Sequence, residues 1–533
     1  MALVQNPVLT GFNPDPSLLC VGQDWYIATS TFEWFPGVQL HHSRDLAHWT
    51  LLPPPLTRPR QLEMRGDGDS GGVWAPCLSY CGGVFYLVYS NVHSFGRTFY
   101  DVKNYLVTAP AITGPWSDPV FLNSAGFDAS LFHDEDGRKW LVCMDFDYRT
   151  WKTRFAGILL QEYSEKEHRL IGPAKRIWEG SSRRTVEGPH LYRHGGWYYL
   201  LCAEGGTTWR HCATVLRSKT LDGPYEPDPL SPLITSWPTP QNPLQKAGHA
   251  SMAEGPDGQW FLAHLCGRPV GEKRECIMGR ETALQALAWQ DGWPRLACGT
   301  EEPQTQFESP YPNTLPPDTP WEGRSWAEEF DGDAPSPNLQ TLRCPLGARA
   351  DCAVRPGWLR LYGAESLESH FEQSLLAARQ QHLRCQADTA LDFAPENYRQ
   401  TAGLVYYYDT SSHFYLYVSR DERKGRVLSL MCKQLDAFTM PLGVGIPLPD
   451  AGCVWLRLAT DGAQAQFYYG LAGAGGTFTP IGPVLPATVL SDDHYEQAAG
   501  WNRFTGAFIG ICCQDLSGGG KPADFDYFRY QAL

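Results

Sequence analysis

A repeat of five similar segments runs through the first three hundred residues of this 533-residue chain. Each unit has a short polar segment followed by a run of aromatic and β-branched residues, which is typical of a β-strand. The polar segments are NPDPSLL, VWAPCLS, GFDASLF, VEGPHLY and AGHASMA, and the strand-like runs are DWYIATS, VFYLVYS, KWLVCMDF, WYYLLCAEG and QWFLAHL. Aligned on Asp15, Trp74, Asp128, Glu187 and His249, the units are about 54 to 62 residues apart. A period of this size is typical of one four-stranded sheet per unit, so the repeat predicts a five-bladed β-propeller.

The first strand of every propeller blade lines the central channel. We therefore expect the five aligned residues to surround one pocket on the axis. Three of them, Asp15, Asp128 and Glu187, are carboxylic acids. Buried acids cost free energy unless they are paired or used in chemistry, so the repeat indicates a catalytic pocket. The alternative for each acid is a carboxylate in a turn or at the end of a strand.

Asp15 stands between two prolines, Pro14 and Pro16. Proline fixes its own φ and disfavours helical geometry in the residue before it. We therefore expect Asp15 to have extended backbone geometry, with its carboxylate held in one direction.

The second part of the chain follows a proline-rich stretch, PYPNTLPPDTP, which predicts a domain boundary. Beyond it lie further strand-like segments and no evident helix of useful length, which indicates a β-sandwich of the jelly-roll, lectin-like kind. The predicted fold is therefore all-β, with a catalytic propeller at 1–315 and a sandwich at 316–533.

Composition and charge exclude several classes of function. The net charge of −14 is spread without long blocks, which argues against a nucleic-acid partner. The start of the chain has no signal-peptide pattern and no stretch is apolar for the length of a membrane crossing, so we expect a cytoplasmic protein without a membrane partner. The sixteen cysteines lack the paired spacing of a zinc site. The 13% aromatic content suits a sugar-binding pocket.

Three acids on one axis match the chemistry of glycoside hydrolysis. One carboxylic acid protonates the leaving oxygen, and one carboxylate attacks or activates water. A third acid nearby can raise the pKa of the proton donor by repulsion between like charges.

Several motifs, in this order along the chain, resemble glycoside hydrolase family 43, and in particular its cytoplasmic β-xylosidases with a C-terminal sandwich domain. They are NPDPS, STFEWFPGVQLHHSRDL, GVWAP, GFDASLFHDEDG, TVEGPHLY, AEGGTT, NPLQKAGHAS and GRETALQ, with FTGAFIG and ADFDYF near the end. The resemblance implies an inverting, exo-acting enzyme that releases D-xylose from the non-reducing end of β-1,4-xylooligosaccharides. It also implies that Asp15 is the general base, Glu187 the general acid, and Asp128 the residue that tunes and orients that acid.

Further site residues follow from the same resemblance or from the repeat. Arg280 in GRET resembles the substrate-binding arginine of the family. Trp74, Phe32 and Phe127 are candidate walls against the sugar, although aromatic residues at strand ends also occur in cores. Phe504 in RFTGAF resembles a loop residue that closes the pocket in related enzymes.

His249 allows two interpretations. In the family this histidine faces the channel floor, and some members hold a divalent cation there through water. A lone histidine cannot hold Ca²⁺, which prefers oxygen ligands. We therefore expect an orienting hydrogen bond and no required cofactor, with a calcium ion near His249 as the alternative. Related enzymes are often dimers or tetramers, so a homo-oligomer is expected.

Three other functions remain open from the sequence. An α-L-arabinofuranosidase activity is an alternative or a companion, because the same propeller accepts either pentose. An invertase-type retaining hydrolase would use a Glu-Cys dipeptide, for which Glu275–Cys276 is a candidate in an unsuitable position. A non-catalytic sugar-binding propeller would keep the aromatic walls without cooperating acids.

Overall fold

Two compact units form this chain, residues 1–268 with 280–319 and residues 269–279 with 320–533. The structure is a computed structural model that describes residues 1–314, 325–471, 477–500 and 503–533. The boundary predicted between 315 and 316 lies outside the described residues. Within the described residues, no helix has the length and apolar character needed to cross a membrane.

The first unit consists of short strands. In chain order they are Leu3–Gln5 (β1), Ser17–Val21 (β2), Asp24–Thr29 (β3), Trp34–Phe35 (β4), Gln39–Ser43 (β5), Thr50–Leu52 (β6), Gly72–Cys81 (β7), Val84–Ser94 (β8), Asp101–Ala109 (β9), Val120–Asn123 (β10), Ser130–His133 (β11), Lys139–Phe146 (β12), Phe155–Ser164 (β13), Arg169–Trp178 (β14), Glu187–His194 (β15), Trp197–Glu204 (β16), Cys212–Ser218 (β17), Glu226–Pro227 (β18), Ile234–Thr235 (β19), Gln245–Glu254 (β20), Trp260–Gly267 (β21), Glu281–Gln290 (β22), Trp293–Leu296 (β23) and Gln306–Glu308 (β24).

Five antiparallel sheets form the blades. Their strand orders are β2-β3-β5-β6, β7-β8-β9-β10, β11-β12-β13-β14, β15-β16-β17-β18 with β19 also beside β17, and β20-β21-β22-β23. Each sheet is one sequence repeat, and the predicted five-bladed propeller is confirmed. The two ends of the unit are joined, because β1 pairs with β24 and the Leu9 amide donates to the carbonyl of Thr282.

Apolar residues fill the spaces between neighbouring blades. Leu40 of the first blade and Leu87 of the second lie in one core cluster, and Val88 and Leu141 of the second and third lie in another. Because strands bury alternate side chains on opposite faces, each blade packs on both neighbours. This packing fixes the inner strands around the axis.

The second unit has two antiparallel sheets. Its strands are Ser325–Glu328 (β25), Thr341–Leu342 (β26), Ala350–Asp351 (β27), Leu359–Tyr362 (β28), Ser374–Arg379 (β29), Arg384–Asp392 (β30), Gln400–Asp409 (β31), Ser412–Asp421 (β32), Gly425–Gln434 (β33), Ala437–Thr439 (β34), Ile446–Pro447 (β35), Val454–Asp461 (β36), Gln464–Leu471 (β37), Thr479–Pro486 (β38), Phe508–Asp515 (β39) and Pro522–Ala532 (β40). One sheet has the order β27-β28-β40-β30-β36-β37-β38, with β25 on β40, and the other has the order β29-β39-β31-β32-β33-β34, with β35 on β33.

The two sheets share one apolar core, to which Leu391 and Leu456 contribute from the first and Leu404 and Leu416 from the second. The predicted β-sandwich is confirmed. Asp492–Ala499 (α1) is the α-helix of the described residues, and it is two turns long. Short 3₁₀ turns lie at Gly347–Arg349 and Ala487–Val489.

Candidate active site

Each blade has two consecutive residues within four positions of the start of its inner strand, which we call the leading pair. The five pairs are Pro14–Asp15, Trp74–Ala75, Phe127–Asp128, Glu187–Gly188 and Gly248–His249. The second residue of each pair has a positive φ, with values of 55°, 32°, 55°, 55° and 42° in that order. Side chains normally alternate between the two sides of a strand, but a left-handed residue interrupts this alternation. Both members of a leading pair can therefore face the propeller axis.

The pairing of the strands corrects the sequence alignment by one residue. Trp74 lies opposite Ser90, and Glu187 lies opposite Ala203, each one residue before the left-handed position. Asp15, Asp128 and His249 occupy the left-handed position itself. The sequence alone could not distinguish the left-handed position from the one before it, because acids occur at both.

The prediction of extended geometry at Asp15 is wrong, since its φ is 55°. The carbonyl of Pro14 accepts a hydrogen bond from the Ser30 amide, and the carbonyl of Pro16 accepts one from the Ser251 hydroxyl at 2.7 Å. These bonds hold the backbone on both sides of Asp15 in a conformation that a residue before proline disfavours.

Three groups surround the Asp15 carboxylate, which is 5% exposed. The Ser30 hydroxyl donates to Oδ2 at 2.7 Å, Arg280 Nη1 donates to Oδ1 at 2.9 Å, and His249 Nδ1 lies 3.5 Å from Oδ1. Burial by itself raises the pKa of Asp15, but Arg280, His249 and Ser30 together bring that pKa below its usual value. Asp15 is therefore ionised at neutral pH.

Glu187 has the opposite electrostatic setting. Burial, and then the charge of Asp15, raise the pKa of Glu187 to about 8, with Arg280 opposing the shift. The repulsion that the resemblance assigns to Asp128 is also present, because the charge of Glu187 raises the pKa of Asp128 and repulsion between two carboxylates is mutual. Glu187 therefore carries a proton at neutral pH.

Asp128 is joined to the backbone next to Glu187, because its Oδ2 accepts a hydrogen bond from the Gly188 amide at 3.1 Å. Burial, and then the charges of Glu187 and Asp15, raise the pKa of Asp128 well above its usual value. This bond is suited to orienting Glu187, which is the role that the resemblance implies.

The three predicted aromatic walls lie together. The ring centroid of Trp74 is 5.6 Å from that of Phe32 and 5.1 Å from that of Phe127, and all three side chains are buried. The guanidinium of Arg280 lies over the Phe32 ring at 5.1 Å. The structure therefore places a continuous aromatic surface beside the acids.

His249 is buried, and burial lowers its pKa, so the imidazole is neutral at pH 7. A calcium ion near His249 stays the alternative prediction. In the described parts of the chain no group of three His, Cys, Asp or Glu side chains could hold a metal ion, and Ca²⁺ takes six to eight oxygen ligands.

Sequence reasoning missed three residues near the acids. Ser30 is the hydrogen-bond donor to Asp15, and Thr207 in the quoted motif AEGGTT accepts a hydrogen bond from Arg280 Nη1 at 3.4 Å. The buried ring of His211 would lie 2.6 Å from a β-carbon at Gly248. Ser30 and Thr207 both stand in motifs quoted above, STFEWFPGVQLHHSRDL and AEGGTT, but those motifs gave them no role. A lone histidine such as His211 in a strand-rich sequence carries no comparable signal.

Two further sequence predictions concern the second unit. Glu275 pairs there with His494 Nδ1 at 3.1 Å, and the Cys276 amide donates to Asp493 at 2.9 Å. Both residues of the Glu-Cys dipeptide therefore make structural contacts. The dipeptide also lies outside the inner strands of the blades. Phe504 lies in the same unit, and its role in closing the pocket stays a prediction.

Comparison with known proteins agrees with this geometry. Residues 4–294 match the model of glycosyl hydrolases family 43. The chain belongs to glycosyl hydrolases family 43. Residues 327–531 match the beta xylosidase C-terminal concanavalin A-like domain, which fits the observed sandwich.

Relatives of the chain in family 43 extend over its whole length. It is 46% identical to a beta-xylosidase of Bacillus subtilis, with 99% of each chain covered. It is also 46% identical to xylosidase/arabinosidase 43B of Humicola insolens, covering 100% of this chain and 98% of the relative. The crystal structure of a xylan beta-1,4-xylosidase from Bacillus halodurans matches with a TM-score of 0.94 and 49% identity, covering 99% and 100% of the two chains.

Proposed function

We propose that this family 43 enzyme is an exo-acting, inverting β-xylosidase that releases D-xylose from the non-reducing end of β-1,4-xylooligosaccharides. The observation that supports this most directly is the opposite displacement of two carboxyl pKa values in one pocket. The pKa of Asp15 is lowered and that of Glu187 is raised to about 8. Two carboxyl groups whose pKa values are shifted in opposite directions are suited to act as base and acid at the same pH.

In the proposed reaction, Glu187 donates its proton to the glycosidic oxygen as the bond to the anomeric carbon breaks. Asp15 accepts a proton from the water that attacks this carbon from the opposite face, so the configuration inverts. Arg280 and Ser30 keep Asp15 ionised and oriented before the reaction. Asp128 orients Glu187 through the Gly188 amide.

The test is proton NMR of purified enzyme with xylobiose at early times. We expect α-xylose to appear first, and Asp15→Asn and Glu187→Gln each to lower the rate about 10²- to 10⁴-fold. Initial β-xylose would overturn the inverting assignment, and full activity in either variant would overturn that residue's role.

An α-L-arabinofuranosidase activity is the second candidate, favoured by the relative named as a xylosidase/arabinosidase. Hydrolysis of 4-nitrophenyl α-L-arabinofuranoside is compared with that of 4-nitrophenyl β-D-xyloside. If both activities use one active site, Asp15→Asn should abolish both. Loss of only one activity would mean that the two substrates are hydrolysed at different sites.

We propose that the reaction needs no metal, that the protein acts in the cytoplasm, and that it forms a homo-oligomer. Activity retained after exhaustive dialysis against EDTA would support the first point. No disulfide joins any of the sixteen cysteines, all of which lie in the described residues, and this suits a reducing compartment. Light scattering of the purified protein measures the oligomeric state directly.

A further inference from the structure

A second group of aromatic residues lies on the loops that follow the second strands of blades two and three. The equivalent loops of blades one and four carry Ser30 and Thr207, which contact Asp15 and Arg280. Because consecutive antiparallel strands reverse direction, the loops between second and third strands all lie at the end of the propeller where the leading pairs begin. Segments 95–100 and 147–154 therefore flank the active site.

Ring contacts join this group to the pocket wall. Trp74 lies 5.0 Å from Phe95, and Phe127 lies 6.0 Å from Tyr100, centroid to centroid. Tyr100 in turn stacks on Phe146 at 4.1 Å with an interplanar angle of 19°. The aromatic surface beside the acids thus continues outward across the boundary between the second and third blades.

Two rings next to this group in the chain are open to solvent, since Phe99 precedes Tyr100 and Tyr148 follows Phe146 by two residues. Phe99 and Tyr148 have ring centroids 5.0 Å apart, and they are 59% and 53% exposed. Exposed aromatic rings in contact with each other leave apolar area in water, which is typical of a binding surface.

The loops that carry these rings are held in place. The Arg154 guanidinium lies 5.8 Å from the Tyr100 ring and 5.3 Å from the Phe146 ring, and its Nη2 donates to the carbonyl of Arg97. The rings are therefore presented by a fixed scaffold, which lowers the entropy cost of binding a ligand on them.

We infer that Phe99 and Tyr148 form an outer platform for the third xylosyl unit of a xylooligosaccharide, counted from the non-reducing end. The inference rests on the proposed function, since an exo-acting pocket holds the terminal sugar and the rest of the chain leaves toward solvent. Pyranose rings have apolar faces that pack on flat aromatic side chains, and their hydroxyl groups remain in water at an exposed site.

The test compares kcat/KM for xylobiose, xylotriose and xylotetraose. In the double variant Phe99→Ala/Tyr148→Ala we expect the ratio of xylotriose to xylobiose to fall about threefold to tenfold, the worth of one or two aromatic contacts. The matched control is Phe121→Ala/Tyr398→Ala, which removes rings of similar exposure, 51% and 54%, from elsewhere on the surface. The control should leave the ratio at the wild-type value.

A second measurement separates this inference from the proposed function. Calorimetric titration of xylotriose and xylobiose into the Asp15→Asn protein measures the affinity for each sugar, because this variant should not hydrolyse them. Weaker xylotriose binding on loss of Phe99 and Tyr148 supports the platform even in the absence of xylosidase activity. An unchanged ratio in kinetics and in titration, or no binding of either sugar, would overturn it.

Discussion

The imidazole of His249 lies against the backbone of Gly188, where a β-carbon would come within 3.0 Å of Nε2. Gly188 also has a φ of 55°, and its amide donates to Asp128. One glycine thus lies beside His249, Asp128 and Glu187, and it is needed for both its conformation and its lack of a side chain.

Substitution Gly188→Ala should therefore damage the site beyond its effect on stability. The added carbon displaces His249 or shifts the backbone that carries Glu187. We expect kcat/KM on 4-nitrophenyl β-D-xyloside to fall about 10²-fold, the scale of a misplaced catalytic group. Gly195→Ala is the matched control, because Gly195 has a φ of 56° and no atom within 4 Å of its β-carbon position. The control should lose about 1 kcal/mol of stability and keep its activity. Equal activity losses in the two variants would contradict this reasoning.

Ser30→Ala should weaken the general base. The Ser30 hydroxyl donates to Asp15 and lowers its pKa, so its loss raises that pKa and moves the acidic limb of the pH–rate profile to higher pH. We expect kcat/KM to fall about tenfold, as for a hydrogen bond to a charged group. Ser90→Ala is the control, since Ser90 is equally buried but donates to Asn104. A limb that shifts equally in both variants would contradict the assignment.

The wild-type pH dependence of kcat/KM should be bell-shaped. Activity needs Asp15 ionised, so it falls at acidic pH below the usual carboxyl range, and it needs Glu187 protonated, so it falls as pH rises through about 8. Arg280 lowers both pKa values, so Arg280→Met should move both limbs to higher pH. The measurement is kcat/KM from pH 3 to 10, and an alkaline limb unaffected by the substitution would count against Glu187.

The sequence predicted the blades well because each blade is a local unit, with a strand pattern and a turn within about 60 residues. It predicted for the same reason that the three acids lie near one another, since the inner strands of a propeller converge on its axis whatever the loop conformations are. It did not predict the one-residue offset of Glu187, because strand patterns do not locate a left-handed residue. The contact of Ser30 with Asp15, and that of Thr207 with Arg280 across 73 positions, depend on loop conformations that periodicity does not encode.

The raised pKa of Glu187 also predicts a stability change. Between its usual value of 4.5 and about 8, the folded protein holds a proton at Glu187 that the unfolded chain releases. The stabilising contribution of this proton is complete below pH 4.5 and is lost as pH rises through about 8. Glu187→Gln removes the titrating group, so its Tm should rise relative to wild type as pH increases from 5 to 8.

Calorimetric Tm values for both proteins across this range check the prediction, with Glu422→Gln as a control for the same change on an exposed residue. The control gives the baseline against which the Glu187→Gln difference is compared. A constant difference for Glu187→Gln would mean that Glu187 titrates alike in the folded and unfolded chains. The acid role proposed for it would then lose its electrostatic basis, because a carboxyl group with an ordinary pKa is ionised at neutral pH.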